Sequence, residues 1–430
     1  MRERDTDNDR SGGPQSRAPF ALLEASVIIS GAGNGVSAVA IPWLVLERTR
    51  DPAAAGIVGA ATALPILLSS LFSGAIADTL GRRRTAVLAD ALSALSVAAI
   101  PLVDIFFGLD LALIVLLTAI GALFDPAGAT SRETMLPEVA KRGGIRLERA
   151  NGIHEAAWGT AYLIGPGIGG VLIAWVGASG ALWATAGAFL LSILTISLVR
   201  APGVGRPEAH ERPENLLAGS IEGLIFVWHH RLLRTMVLII MVVVAVYMPI
   251  EGVLLPVIFE AANEPQRLGI VLAAMSAGGI AGSLAYSLLA ARLKRYHLHN
   301  AGLLLAAASI LWLSTVPPFG QMIVAGALAG FFWGPMGPLM NLVMQIHTPP
   351  AKRGRVMGVV MASYYAAGPL GYLLAGWLVK RGGVDGVFLG IGIAIVVAAV
   401  AGVLMPALRA LDDEGPYEAE LQVTDAKPTV

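Results

Sequence analysis

The groups in this sequence that could do chemistry are a few acids and one histidine set inside long apolar runs. Glu251 lies deepest, between Pro249 and Pro256 in a stretch built mostly of Val, Leu, Ile and Met. His154 and Glu155 sit one turn into another run and Asp90 one turn into a third; Asp125 ends a fourth beside Pro126, and Glu24 begins the first. Ionised carboxylates are costly in hydrocarbon, so acids kept there are candidates for function. The chemistry open to them is reversible protonation, because desolvation favours the neutral acid and a nearby cation favours the anion. Glu251, Asp90 and Glu155 are therefore the proton-coupling candidates. Plainer alternatives exist: a hydrated place near lipid headgroups for Asp90, Asp125 and Glu24, and a hydrogen bond to proline-freed carbonyls for Glu251. His154 alone specifies nothing.

Two strings rich in small residues flank these acids. GAIADTLGRRRT sets Gly74, Asp78, Gly81, Arg82 and Arg83 at the junction of two apolar runs. Gly74 admits a close helix neighbour, Gly81 permits a tight turn, and the arginines can pair with Asp78 or with carbonyls at a helix C-terminus. Asp125 is a further partner within reach of Arg82 if both lie at one membrane face. The second string, GIHEAAWGTAYLIGPGIGG, carries Gly152, Ala161, Gly165, Pro166, Gly169 and Gly170. Its small positions allow tight packing on one helix, and Pro166 leaves a carbonyl unpaired. A candidate cavity wall combines Trp43, Tyr247, Met248, Trp333, Asn341 and Gln345, although each could equally anchor or pack.

The elements that hold these residues are membrane helices. A span needs about 20 apolar residues to cross roughly 30 Å of hydrocarbon. Twelve segments qualify: residues 20–46, 54–78, 86–107, 110–130, 151–175, 178–199, 235–259, 267–290, 298–318, 320–345, 356–379 and 384–408. With both termini cytoplasmic, Arg48, Arg50, Arg267, Lys380 and Arg381 alone of the 30 Lys and Arg fall outside, as the positive-inside rule requires. The halves also repeat. Phe124-Asp125-Pro126 answers Trp333-Gly334-Pro335, Gly165-Pro166 answers Gly368-Pro369, and Gly74 answers Gly282, all at offsets of 203 to 209 residues. In the second copy Tyr286 stands where the acid would be. Such parallel repeats set a binding site at their interface near the midplane. The fold class is thus an all-α membrane protein of twelve transmembrane helices in two six-helix bundles. Its expected parts are a disordered tail (1–19), a first bundle (20–199), a cytoplasmic linker (200–234), a second bundle (235–408) and a cytoplasmic tail (409–430).

Composition agrees and excludes other classes. The chain of 430 residues is 56% hydrophobic and 14% charged, with a mean hydropathy of +0.70 and zero net charge. Soluble domains carry about a quarter charged residues. Nothing points to nucleic acid. With no cysteine there is no disulfide or thiolate chemistry, and no phosphate-binding loop, zinc motif or serine nucleophile motif occurs. No enzyme activity, cofactor or metal is expected. The first apolar run is too long for a signal-peptide core.

The spacing Gly74-x-x-x-Asp78-x-x-Gly81-Arg82-Arg83 resembles the signature of the major facilitator superfamily, which implies a latch that holds the inside closed and breaks during transport. The second string resembles the antiporter motif of drug exporters, with Ala161 replacing one glycine. More narrowly, MLPEVAKRGGIRLERANGIHEA, FVWHHRLLRT and RGRVMGVVMASYYAAGPLGYLLAG resemble Tap-type multidrug efflux proteins of actinobacteria, across all twelve spans. That resemblance implies a monomeric, plasma-membrane exporter of drug-like molecules, of the tetracycline and aminoglycoside classes, driven by proton antiport. Export of a siderophore or lysophospholipid, with drug efflux incidental, is the alternative. Two departures stand out: Gly33-Asn34-Gly35 occupies the place where relatives often have an acid in span one, and span four is read as lacking an intramembrane arginine.

Overall fold

In the computed structural model of the chain the described residues are 16–108, 110–199, 216–289, 292–349, 352–413 and 415–416, and all regular structure among them is helical. The expected N-terminal tail as far as residue 15, the linker segment 200–215 and the chain after 416 lie outside them. Fifteen α-helices follow one another. α1 (Ala18–Thr49), α2 (Pro52–Leu80), α3 (Arg82–Phe107), α4 (Leu111–Ala122), α5 (Asp125–Arg142) and α6 (Leu147–Ser197) build the first half. α7 (Leu216–His229) leads into α8 (Arg231–Pro249), α9 (Leu255–Ala261), α10 (Pro265–Leu289), α11 (Arg295–Ser314), α12 (Phe319–Trp333), α13 (Met336–His347), α14 (Arg353–Gly382) and α15 (Val384–Val403).

Eleven stretches of described helix are long and apolar enough to cross a membrane, and one of them crosses twice. The run Arg149–Ser197 is broken at Gly177, whose φ of 75° and ψ of 171° interrupt the helix, so it holds spans five and six. Leu95, Phe107, Trp175, Leu288 and Leu370 leave 69% or more of their surface exposed. Exposed apolar surface on this scale suits lipid, not water.

The helix ends follow local chemistry. Gly81 turns the chain from α2 to α3 at φ 90°, a conformation side chains rarely adopt. Span four breaks at Leu123-Phe124, with Pro126 in the first turn of α5. Span ten breaks likewise at Gly334-Pro335, between α12 and α13. The sequence repeat therefore marks matching discontinuities. Gly278, Gly282, Gly330 and Gly334 bring α10 and α12 so close that an added Cβ at any of them would meet backbone.

Two expectations are corrected. Span four does not stop at residue 130: α5 runs on to Arg142 and carries Arg132 into the bundle as a buried residue. The part of the linker that is described is a helix, α7, and α8 already begins at Arg231. Glu222 of α7 pairs with Lys352 at 2.9 Å and with Arg355, docking α7 beside the start of α14.

Candidate functional site

The side on which α1 begins, with the Gly81 turn, is called the near side below; the side of Asp51 and Lys380 is the far side. Pro249 and Pro256 bracket a π-helical turn, Ile250–Leu254. Pro256 has no N–H, so the carbonyl of Gly252 loses its ordinary donor. The turn widens, and the N–H of Leu255 reaches the carbonyl of Ile250. π turns occur often at functional sites. Glu251 lies on this one. Tyr247, one turn earlier, donates its hydroxyl to Glu251 Oε1 at 2.5 Å. The Tyr247 ring in turn stacks on Trp333, with centroids 6.4 Å apart and planes at 10°.

Two further tyrosines lie within electrostatic reach of Glu251, and a third within reach of one of those two. Tyr162 on α6 of the first bundle is 64% exposed, yet its phenol is within electrostatic reach of Glu251 on the second. Both hold if the side chain opens onto the space between the bundles. Tyr365 of α14 is within reach of Tyr162 and Asp125. Tyr372, also within reach of Glu251, lays its ring against Gly59 and Gly252, where an added Cβ would meet it at 2.9 and 2.5 Å. One carboxylate, bonded to one phenol and within electrostatic reach of phenols on both bundles, can hold a proton or an organic cation. Sequence reading missed Tyr162, Tyr365 and Tyr372 because tyrosine in a span reads as an interfacial anchor. The available signal was the seven-residue spacing of Tyr365 and Tyr372, two turns along one helix face.

The other cavity candidates divide. Met248 packs its sulfur toward Gly368 on α14. Asn341 is half-buried and Gln345 exposed, both on α13, toward the near side. Trp43 is 4% exposed within the core, so it is a packing residue and not a free wall.

The remaining acids find separate partners. Asp90 of α3 forms an ion pair with Arg132 of α5 and accepts from Ser30 of α1 at 2.9 Å. Arg132 also donates to Ser26 of α1 and to Ser192 of α6, each at 3.2 Å. Four helices meet on this one network. The arginine read as missing from span four is present in its continuation. Glu24 faces His154 across α1 and α6, with Nδ1 at 3.1 and 3.2 Å from the two carboxylate oxygens. Glu155 is exposed and shares none of this burial.

At the latch, Arg82 donates to the carbonyl of Thr134 at 3.1 Å and comes within 3.9 Å of Glu138. Arg83 donates to the carbonyl of Val199 at 3.2 Å. Asp125 accepts from Ser93 at 2.9 Å, so the expected Arg82–Asp125 pairing gives way to Glu138 and Thr134 for the arginine. The surroundings of Gly74 and the side chain of Asp78 lie outside the described set.

The second motif packs two ways. Gly165 and Gly169 face α1: an added Cβ would meet Gly35 at 2.8 Å and Val36 at 3.2 Å. The methyl of Ala161 fills the equivalent place against Gly31. Gly170 faces α10 of the other bundle, where its Cβ would lie 3.0 Å from Gly269. A Cβ added at Gly152 would meet nothing within 4 Å among the described residues, so the site needs no glycine for close packing.

Contacts between bundles join α2 to α14, α6 to α10 and α1 to α9. Gly56 lies against Tyr372 and Gly376, and Gly376 against Pro52 and Ala53, all toward the far side. Two ion pairs cross there, Asp51–Lys380 at 2.6 Å and Arg50–Glu260 at 2.8 Å. The Lys380 ammonium holds the Asp51 carboxyl below its usual range. The bundles are thus clasped at one end, with the tyrosine-lined acid beneath the clasp.

Comparison with known proteins agrees with this architecture. The sequence model of a family described as transmembrane secretion effectors matches residues 11–422. The chain is 43% identical over 399 residues to the multidrug efflux pump Tap of Mycolicibacterium fortuitum, covering 92% of this chain and 98% of that one. It is also 43% identical over 401 residues to the Tap pump of Mycobacterium tuberculosis, covering 92% and 96%. Among solved structures, the nucleoside transporter NupG superposes with a TM-score of 0.73 at 12% identity, over 92% of this chain and 99% of that one, a likeness of fold alone.

Proposed function

Because the chain belongs to the transmembrane secretion effector family, within the major facilitator superfamily, we propose that it exports drug-like organic cations in exchange for protons, by alternating access. The observation that carries this reading is the Tyr247–Glu251 hydrogen bond on a π turn facing tyrosines of both bundles. A carboxylate so placed serves two competing occupants. A proton neutralises it, and a cationic drug replaces the proton while its apolar body lies on the aromatic rings. The 43% identity to pumps named for multidrug efflux supports the cargo; tetracyclines and aminoglycosides, both bearing amines, are the classes to try first. The clasped far side faces outward in the bacterial plasma membrane, the termini are cytoplasmic, and one chain suffices.

The mechanism needs only an interaction that differs between two states. In the clasped state cargo enters from the near side and displaces the proton from Glu251. Opening of the far side releases cargo and lets Glu251 reload from outside. The test is Glu251→Gln in everted vesicles with a fluorescent cationic dye. Expected is loss of pH-gradient-driven transport, with dye binding weakened by the lost charge but still measurable on the aromatic rings, while Tyr247→Phe slows transport and leaves coupling intact. Normal pumping by Glu251→Gln would remove this site from the coupling scheme.

A further inference from the structure

We infer that Glu24 and His154 form a second proton-binding site, within the first bundle and apart from Glu251. Both side chains are buried, with relative exposures of 6% and 4%. An ionised carboxylate can only accept, so in that state Nδ1, at 3.1 and 3.2 Å from the two Glu24 oxygens, carries the hydrogen. That assignment leaves Nε2 with the imidazole lone pair. Nε2 is buried and has no hydrogen-bond partner among the described residues.

With Glu24 ionised and His154 neutral, the pair is a buried net negative charge with an unused basic nitrogen. Such a charge is expensive in a low dielectric. One proton from water, added at Nε2, converts it to a neutral carboxylate–imidazolium pair. No other group need change its protonation.

The charges around it favour that uptake. From α5, Glu133 adds negative potential, and so does Glu155 from α6; both are exposed and within electrostatic reach of His154. The buried cation Arg132 on α5, which donates to Ser26 two residues from Glu24, is already neutralised by Asp90 of α3. Arg17 on α1 and Arg149 on α6 are exposed at the helix starts. Toward the near side the second half of α6 carries hydroxyls, Ser192, Thr195 and Ser197, and no charged residue, and α10 carries the phenol of Tyr286. Asn151 and Glu155, exposed beside His154, line a polar flank through which protons can arrive from the near side. The exposed carboxylates raise the local proton concentration, and the buried imidazole is the place where a proton stops.

The exchange proposed above would then move through a protein holding two protons, but binding at this pair does not depend on Glu251. The test is nitrogen NMR of 15N-histidine-labelled full-length protein in lipid nanodiscs, titrated from pH 5 to 9, with His154→Gln identifying the signal. Expected is a His154 resonance that passes from the Nδ1–H neutral form to the imidazolium within that range. Glu24→Gln should weaken proton binding there about tenfold or more, as loss of a contacting carboxylate requires. Glu251→Gln should leave the His154 titration unchanged, so failure of the antiport reading and failure of this one give different results. A His154 that stays neutral down to pH 5, or a titration indifferent to Glu24→Gln in correctly folded protein, overturns the site.

Discussion

Asp90 of α3 and Arg132 of α5 form an ion pair in which neither side chain is more than 4% exposed. Ser30 donates to Asp90, while Arg132 donates to Ser26 and Ser192, so the pair's hydrogen bonds extend to α1 and α6. The Asp90 carboxylate is thus engaged by both a guanidinium and a hydroxyl, inside the bundle. The pair fits a clamp better than a proton carrier.

Removing either partner leaves an uncompensated buried charge, at a cost of about 3–5 kcal/mol. Asp90→Ala and Arg132→Ala should each lower the thermal unfolding temperature of purified protein and reduce its abundance in the membrane. The double replacement should recover part of that loss. If Asp90→Asn instead folds normally and transports without a pH gradient, Asp90 carries protons after all.

The latch joins two helix ends through Arg82, which reaches the Thr134 carbonyl and Glu138. Arg82→Ala and Asp78→Asn should leave protein in the membrane yet lower efflux several-fold at matched abundance, because an interaction made in one state biases the equilibrium. Dye efflux normalised to immunoblot signal measures this. Unchanged efflux in both variants would reduce the motif to a turn and a topology signal.

Orientation can be read directly, since the chain has no native thiol. Single cysteines at Ser11 and Ala209 should react with impermeant maleimide only from the cytoplasm, and one at Glu264 only from outside. Labelling of position 209 from outside would break the two-bundle topology.

The clasp offers a reversible lock. Ala53 and Gly376 come together across the bundles, where a Cβ on Gly376 would lie 3.1 Å from the Ala53 Cα. Ala53→Cys with Gly376→Cys should cross-link under oxidation and stop efflux until reduced. The neighbouring Asp51–Lys380 pair is largely exposed and contributes about 0–1 kcal/mol. Because Lys380 depresses the Asp51 pKa from 3.8, that contribution is complete above pH 3.8 and is lost as pH falls through the lower folded value. Cross-linking yield, corrected for thiol reactivity, should therefore be flat from pH 5 to 8. A fall in yield across that range would assign closure to a different titrating group.

What the sequence by itself determined is what local covalent chemistry and lipid impose. Apolar length and the placement of Lys and Arg yield twelve spans. Gly81, Pro126 and Pro335 mark a turn and two helix breaks, and Pro249 with Pro256 brackets the π turn beneath Glu251, because glycine and proline act on their own backbone. Partnership was decided only by tertiary structure. Asp90 and Arg132 are 42 residues apart, and Glu24 and His154 are 130 apart. Nothing in either segment says which face will meet the other. Arg132 read as a loop cation because span length alone stops the helix near residue 130, whereas Asp90 and two serines offset the cost of carrying its charge inward. The tyrosines around Glu251 come from α6, α8 and α14, and only the crossing of the two bundles turns an anchor-like residue type into the wall of a site.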